Sequence, residues 1–307
     1  MTQPPDIRSL ADLERFLAAQ PPAWTVAELR AQAERVAPAL NAGPAIPTGP
    51  VHGGVAIGPG LTADVIEPPG RGPHPVLVYV HGGGWVASST RHYRRLASHL
   101  AARGFVVVNL EYRLAPETAW PGAVEDARAA LRWAAANAGR FDADPRRLVI
   151  AGDSCGANIA AGALVAGRVD PGDPAVRAAA LLYGVYDARA LRGQFRGVPG
   201  PGYLSEHGVA LMLASYLRGR GHQAAADPTV SPALAAGALP PTLLVCGGDD
   251  PLLPQSEAMA AALAAAGAEH ETLVVPGVPH GFCQVDPHPP TLPTLDRVAA
   301  FLHAHAG

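Results

Sequence analysis

The chain has 307 residues, 49% hydrophobic and 16% charged, with a formal net charge of −3. That composition excludes a disordered chain and leaves room for one large α/β domain with a substantial core. The slightly acidic balance, without a basic run or face, excludes nucleic acid as a partner.

At the N-terminus no basic segment leads into an apolar one, so no signal peptide is expected. Ile7–Leu40 reads as helical. Leu10, Leu13 and Leu17, then Val26, Leu29 and Val36, recur at helical spacing on either side of Pro21–Pro22. A Gly/Pro-rich link from Gly43 to Gly60 follows. Beyond it, strands are expected at Val76–Val80, Val106–Leu110, Leu148–Ala151, Ala178–Tyr183, Leu243–Cys246 and Thr272–Val275. Helices are expected at Tyr93–Arg103, Ala123–Ala138, Ser256–Ala266 and Leu292–His305, with an alanine-rich helix after Ser154 running to about Gly167. Strands apolar on both faces, alternating with helices, imply a mostly parallel sheet flanked by helices on both sides.

Asp187–Asp227 breaks this rhythm. It is rich in Gly, Pro and Arg, with a helical segment at Val209–Leu217. With the N-terminal helices it reads as a lid over the catalytic edge of the sheet; a plain surface insertion is the alternative. The expected division is 1–45 as the N-terminal helical part of a cap, 46–186 as the first part of the core, 187–228 as a cap insertion and 229–307 as the second part of the core. No apolar run is long enough to span a bilayer; Ala178–Tyr183 and Thr242–Cys246 have core-strand length.

All 23 basic residues are arginine, which excludes Schiff-base catalysis and a Ser–Lys dyad. The three cysteines, Cys155, Cys246 and Cys283, are odd in number and lack metal-type spacing. A disulfide framework and a zinc site are therefore not expected, and a reducing cytoplasm is.

The chemistry starts at Gly152-Asp153-Ser154-Cys155-Gly156, a G-x-S-x-G between an apolar strand and an apolar helix. A nucleophile on that sharp turn needs small neighbours and sits at the positive end of the helix. A tight strand–helix turn with a capping serine is the plainer alternative. After the strand Val76–Val80 comes His81-Gly82-Gly83-Gly84-Trp85, whose glycines let backbone N–H groups face a carbonyl oxygen. Gly82 and Gly83, with the N–H of Cys155, are the expected oxyanion donors; Gly84 is a further candidate, and His81 is expected to orient the loop. Neither phosphate-loop pattern is present. Past later strands lie Asp249-Asp250-Pro251-Leu252 and His280-Gly281-Phe282. Loops after parallel strands emerge on one edge, so an aspartate, His280 and Ser154 can converge there. Either aspartate fits as the acid, and one of the pair can instead cap the helix near Pro254.

Taken together, the motifs above and Tyr112-Arg113-Leu114-Ala115-Pro116-Glu117 resemble the hormone-sensitive-lipase family of α/β-hydrolases from Val76 to the C-terminus. The resemblance implies an α/β-hydrolase fold with a two-part helical cap and a Ser154–His280–Asp250 triad, since the acid is the aspartate preceding Pro-Leu. It implies hydrolysis of short- to medium-chain acyl esters, with no metal or organic cofactor. Trp85, Tyr203, Met212 and Tyr216 are candidates to line the substrate pocket, with core packing the alternative for each. Arg113 is expected to pair with Glu117. The partner is a small-molecule ester, and a homodimer through an edge strand or the last helix stays open. Three positions depart from the family pattern: Cys155 replaces alanine, Ala157 replaces glycine, and Leu253-Pro254-Gln255 replaces an acidic pair. Two rivals remain, an amidase or formamidase with the same triad and a non-catalytic ligand-binding relative.

Overall fold

A computed structural model describes residues 23–307 except 169 and 199–201, together with 9, 11, 12, 15, 16 and 19. The expected helical positions Leu10, Leu13 and Leu17 and the break at Pro21–Pro22 lie outside the described residues.

The described residues form one sheet of β1 (Val51–Gly58), β2 (Leu61–Ile66), β3 (His74–Val80), β4 (Val106–Glu111), β5 (Ala143–Asp153), β6 (Ala179–Leu182), β7 (Thr242–Gly247) and β8 (His270–Val275). The order is β1-β2-β4-β3-β5-β6-β7-β8. β2 runs antiparallel to β1 and β4, and all other neighbours are parallel. The six parallel strands are those expected from the apolar runs. The link expected at Gly43–Gly60 is corrected: its second half holds β1, which forms a hairpin with β2. Residues of β1 are largely exposed, and Gly53, Gly54 and two register shifts hide any alternation of apolar positions.

Successive side chains of a strand face opposite sides of the sheet, and each side has its own core. Val76, Val78 and Val80 pack on one side with α3 (Gly122–Asn137), α4 (Cys155–Gly167) and α7 (Leu253–Ala265). Leu77 and Tyr79 pack on the other with α2 (Arg94–Ala101) and α8 (Thr291–Ala306). Each such fully buried side chain contributes roughly 1.5–3 kcal/mol. Right-handed crossovers bring the C-terminal ends of β3 to β8 to the same edge, where the loops holding His81, Ser154, Asp250 and His280 begin.

Two helical segments lie across that edge. α1 (Val26–Leu40) starts at a capping box: Thr25 Oγ1 accepts from Glu28 N, and Glu28 Oε2 accepts from Thr25 N at 2.9 Å. Arg30 ties α1 down, donating to Val86 O at 2.7 Å and Ala115 O at 3.0 Å and pairing with Glu117 at 2.6 Å. The second segment holds α5 (Ala188–Gln194) and α6 (Glu206–Tyr216). It meets α1 where Tyr203 OH donates to Leu29 O at 2.9 Å. The expected Arg113–Glu117 pair does not form. Arg113 grips Asp126 with its backbone N–H and guanidinium, because Asp126 is buried at the start of α3 and needs those donors, while Glu117 turns outward to Arg30.

Candidate active site

Ser154 occupies the turn between β5 and α4 with φ 54° and ψ −124°. Its N–H donates to Leu182 O at 2.8 Å, which fastens the strained turn to the neighbouring strand. The glycines on either side are required by close approach of backbone. A Cβ on Gly156 would strike Val80 O and His81 O, and one on Gly152 would strike Val80 O and Gly156 O.

His280 Nε2 lies 3.0 Å from Ser154 Oγ, and His280 Nδ1 lies 2.8 Å from Asp250 Oδ2. Ser154 lies 126 residues before His280 and Asp250 lies 30 before it, and the three side chains meet because their strands end on one edge. Asp250 is fully buried at its side chain. Its second oxygen, Oδ1, accepts from Leu252 N at 2.7 Å, so Asp250 both orients His280 and caps the turn leading into α7. Asp249 is exposed, and it is Asp250 that lies against His280. Tyr183 meets the His280 ring edge-on at 4.9 Å and, with φ 39°, is itself held in a strained backbone conformation.

The glycine loop is held by Asp153. This fully buried carboxylate accepts from Tyr79 OH, Tyr93 OH and Gly82 N, each at 2.9 Å. Burial pushes its pKa up to about 6, against the pull of those three donors. Gly82 is thereby removed as an oxyanion donor: its N–H is already spent on Asp153. Gly83 and Gly84 line the cavity with Ser154 instead, both at positive φ. Gly83 cannot be replaced without a clash against Ala87 O. His81 stacks between Tyr112 at 4.3 Å and Tyr93 at 5.4 Å, and its Nδ1 lies 2.8 Å from Gly82 O. Burial pushes its pKa down to about 4, so it is a neutral prop for the loop.

Cys155 opens α4. Its Sγ accepts from Trp85 N at 3.0 Å and lies 3.7 Å from Tyr112 OH, and burial pushes the thiol pKa up to about 12. It is a neutral, buried acceptor rather than a second nucleophile. Gln255, another departure from the family pattern, is buried and accepts from Tyr186 N at 2.9 Å and Asp187 N at 2.8 Å. It fixes the point where the chain leaves the sheet for the second helical segment.

A cavity of about 440 Å³ lies over Ser154, roofed by α1 and α6. Tyr203 and Met212 line it as expected; Trp85 and Tyr216 do not. They are buried, stacked on each other at 4.8 Å with planes 11° apart, and Trp85 Nε1 donates to Asn158 Oδ1 at 3.2 Å. Trp85 adopts a φ of 64°. Residues that the sequence did not single out also line it, Gln32, His92 and Gln284 among them. Their only signal is Gln32 at the core-facing spacing of Leu29 and Val36 on α1.

Residues 77–284 match a family model described as the alpha/beta hydrolase fold. The chain belongs to the α/β-hydrolase family, in its hormone-sensitive-lipase branch. This α/β-hydrolase is 34% identical over 215 residues to carboxylesterase NlhH of Mycobacterium tuberculosis, covering 68% of this chain and 66% of the relative. To carboxylic ester hydrolase LipN of the same organism it is 36% identical over 225 residues, covering 70% and 59%. The matches thus span less than two thirds of these relatives' own length. Among solved structures, the hyperthermophilic esterase of the archaeon Pyrobaculum calidifontis superimposes with a TM-score of 0.83 at 30% identity, over 97% of each chain.

Proposed function

We propose that this α/β-hydrolase is a carboxylesterase for short- to medium-chain acyl esters. The observation that carries the reading is the continuous chain Asp250–His280–Ser154, at 2.8 and 3.0 Å, opening into the cavity beside Gly83 and Gly84. His280 takes the Ser154 proton as Oγ attacks the ester carbonyl. The N–H groups of Gly83, Gly84 and Cys155 receive the oxyanion, each such donor contributing about 3 kcal/mol to the transition state. His280 returns the proton to the leaving alcohol, then activates the water that releases the acid. Asp250 keeps the Nδ1 proton on His280 and stabilises its charged form. Residues 1–45 and 187–228 act as a cap whose inner wall sets the length of chain accepted. All of these steps use side chains and backbone of this chain alone.

The setting belongs to the same proposal. Among the described residues no helix is long and apolar enough to cross a membrane. The three cysteines are free and buried, which supports a reducing cytoplasm. Val274 on the edge strand β8 and Leu292 on α8, 41% and 37% exposed, support a homodimer through that end of the sheet; light scattering reads it directly.

The test is hydrolysis of a p-nitrophenyl ester series by the wild type and by Ser154→Ala. Activity greatest on short chains, reduced about ten-thousandfold or more in the variant, is the expected result. A folded wild type inert on every ester, but active on matched amides, would move the proposal to an amidase.

A further inference from the structure

The cavity over Ser154 has a polar wall that the triad does not use. Gln32 of α1 and His92, just before α2, line it and are only 5% and 6% exposed. Gln32 holds a place on the buried face of α1, between Leu29 and Val36, where an apolar residue is the ordinary choice.

Four other polar side chains around the cavity have partners within the protein. Tyr93 OH donates to Asp153 Oδ2, Tyr203 OH to Leu29 O, Ser205 Oγ to Gly202 O, and Gln284 Nε2 reaches Asp153 Oδ2 at 3.4 Å. Gln32 Oε1 and His92 Nδ1 have no partner among the described residues. His92 Nε2 comes within 3.1 Å of Glu34 Oε1 but out of hydrogen-bond alignment, and Glu34 is engaged by Arg91 at 2.5 Å. Buried polar atoms of this kind are costly unless something pairs with them, and these lie against the cavity over Ser154.

Charge narrows the kind of group that fits. No carboxylate and no guanidinium lines the cavity among the described residues. Burial lowers the pKa of His92, more than the nearby Glu34 raises it, so its ring is neutral at neutral pH. A carboxylate or ammonium on the ligand would meet no counter-charge there and lose its hydration. A hydroxyl or an amide can both donate and accept, as the Gln32 amide and a neutral imidazole require.

We propose that the preferred substrates carry a neutral hydrogen-bonding group, a hydroxyl or amide, in addition to the ester, and that Gln32 and His92 recognise it. This rests on the carboxylesterase reading above. It makes the two residues determinants of specificity, remote from bond making, on a wall built jointly by the N-terminal helical segment and the loop that follows the oxyanion glycines.

The experiment compares kcat/KM within matched pairs. Butyl butanoate is set against its ω-hydroxybutyl counterpart, placing the hydroxyl in the alcohol. Ethyl hexanoate is set against ethyl ω-hydroxyhexanoate, placing it in the acid. The wild type should prefer the hydroxylated member of one pair by at least about tenfold, and which pair shows it tells which arm lies along Gln32 and His92. Gln32→Leu and His92→Phe should each abolish the preference while hydrolysis of the plain ester persists, which also reports that the variants fold. If the wild type hydrolyses both members of both pairs equally, or favours the plain esters, the proposal is overturned and the esterase reading stands; a bound water serving both side chains would give that result. A preference that survives both substitutions also overturns it. If no ester is hydrolysed at all, the underlying reading fails, and this proposal with it.

Discussion

Asp153 stands next to Ser154 yet takes no part in the Asp250–His280–Ser154 chain; its three nearest donors, each at 2.9 Å, come from two tyrosines and Gly82. Its folded pKa, about 6, lies above the ordinary carboxylate value near 3.8. The folded state therefore holds this proton more tightly than the unfolded chain, and stability from this site is lost as pH rises through 6. Asp153→Asn removes the titration. Measured against that variant, the wild type should gain roughly 1 kcal/mol as pH falls from 7 to about 5, read from paired denaturant melts. An asparagine also offers a single acceptor oxygen to three donors, so kcat of the variant should fall about tenfold or more with KM little changed, as the glycine loop loosens. At Cys155 the expectation is opposite. Its thiol is buried and neutral, and the proposed mechanism uses only its backbone N–H, so Cys155→Ala should keep activity within about threefold, and thiol-alkylating reagents should not inactivate the wild type. The sequence made the triad legible at this scale, because each member follows an apolar run in a motif of its own. It did not reveal which glycine N–H is free. That depends on Asp153 claiming Gly82, a contact across 71 residues that no local pattern encodes.

Among the elements, α1 and α6 form the roof of the cavity. Arg30 fastens α1 to the loop after β3 and to Glu117. Arg30→Met should leave the sheet intact but loosen α1; limited proteolysis should then cut near residues 26–40 sooner, with KM raised severalfold and kcat nearly unchanged. On α6, Met212 presses its sulfur against Gly84, so that a Cβ on that glycine would collide with it. Met212→Ala should move the preferred acyl chain to greater length in the p-nitrophenyl series, at a stability cost of about 2–3 kcal/mol. The parallel strands and their helices were readable because both-face burial writes continuous apolar runs. α6, read as Val209–Leu217, begins three residues earlier at Glu206, where the Ser205 cap starts the helix before its apolar face does. The β1–β2 hairpin escaped because its outer strand buries little, so its composition answers to turns and solvent rather than to a core.

At the scale of the molecule, reaction and selection occupy different parts of the chain. Ser154, Asp250, His280 and the oxyanion glycines lie on turns that leave the sheet directly, each pinned by backbone crowding or a buried carboxylate. The remaining walls of the cavity, Gln32 and His92, Tyr203 and Met212, come mainly from segments laid over the sheet. Exchange of a roof residue does not pass through the strands that align the nucleophile, whereas a change in those strands disturbs every catalytic turn at once. A mutational library confined to the roof should thus explore new substrates while most of its members remain folded and reactive. For such a scaffold, diversity of diet comes at little risk to the catalyst beneath it.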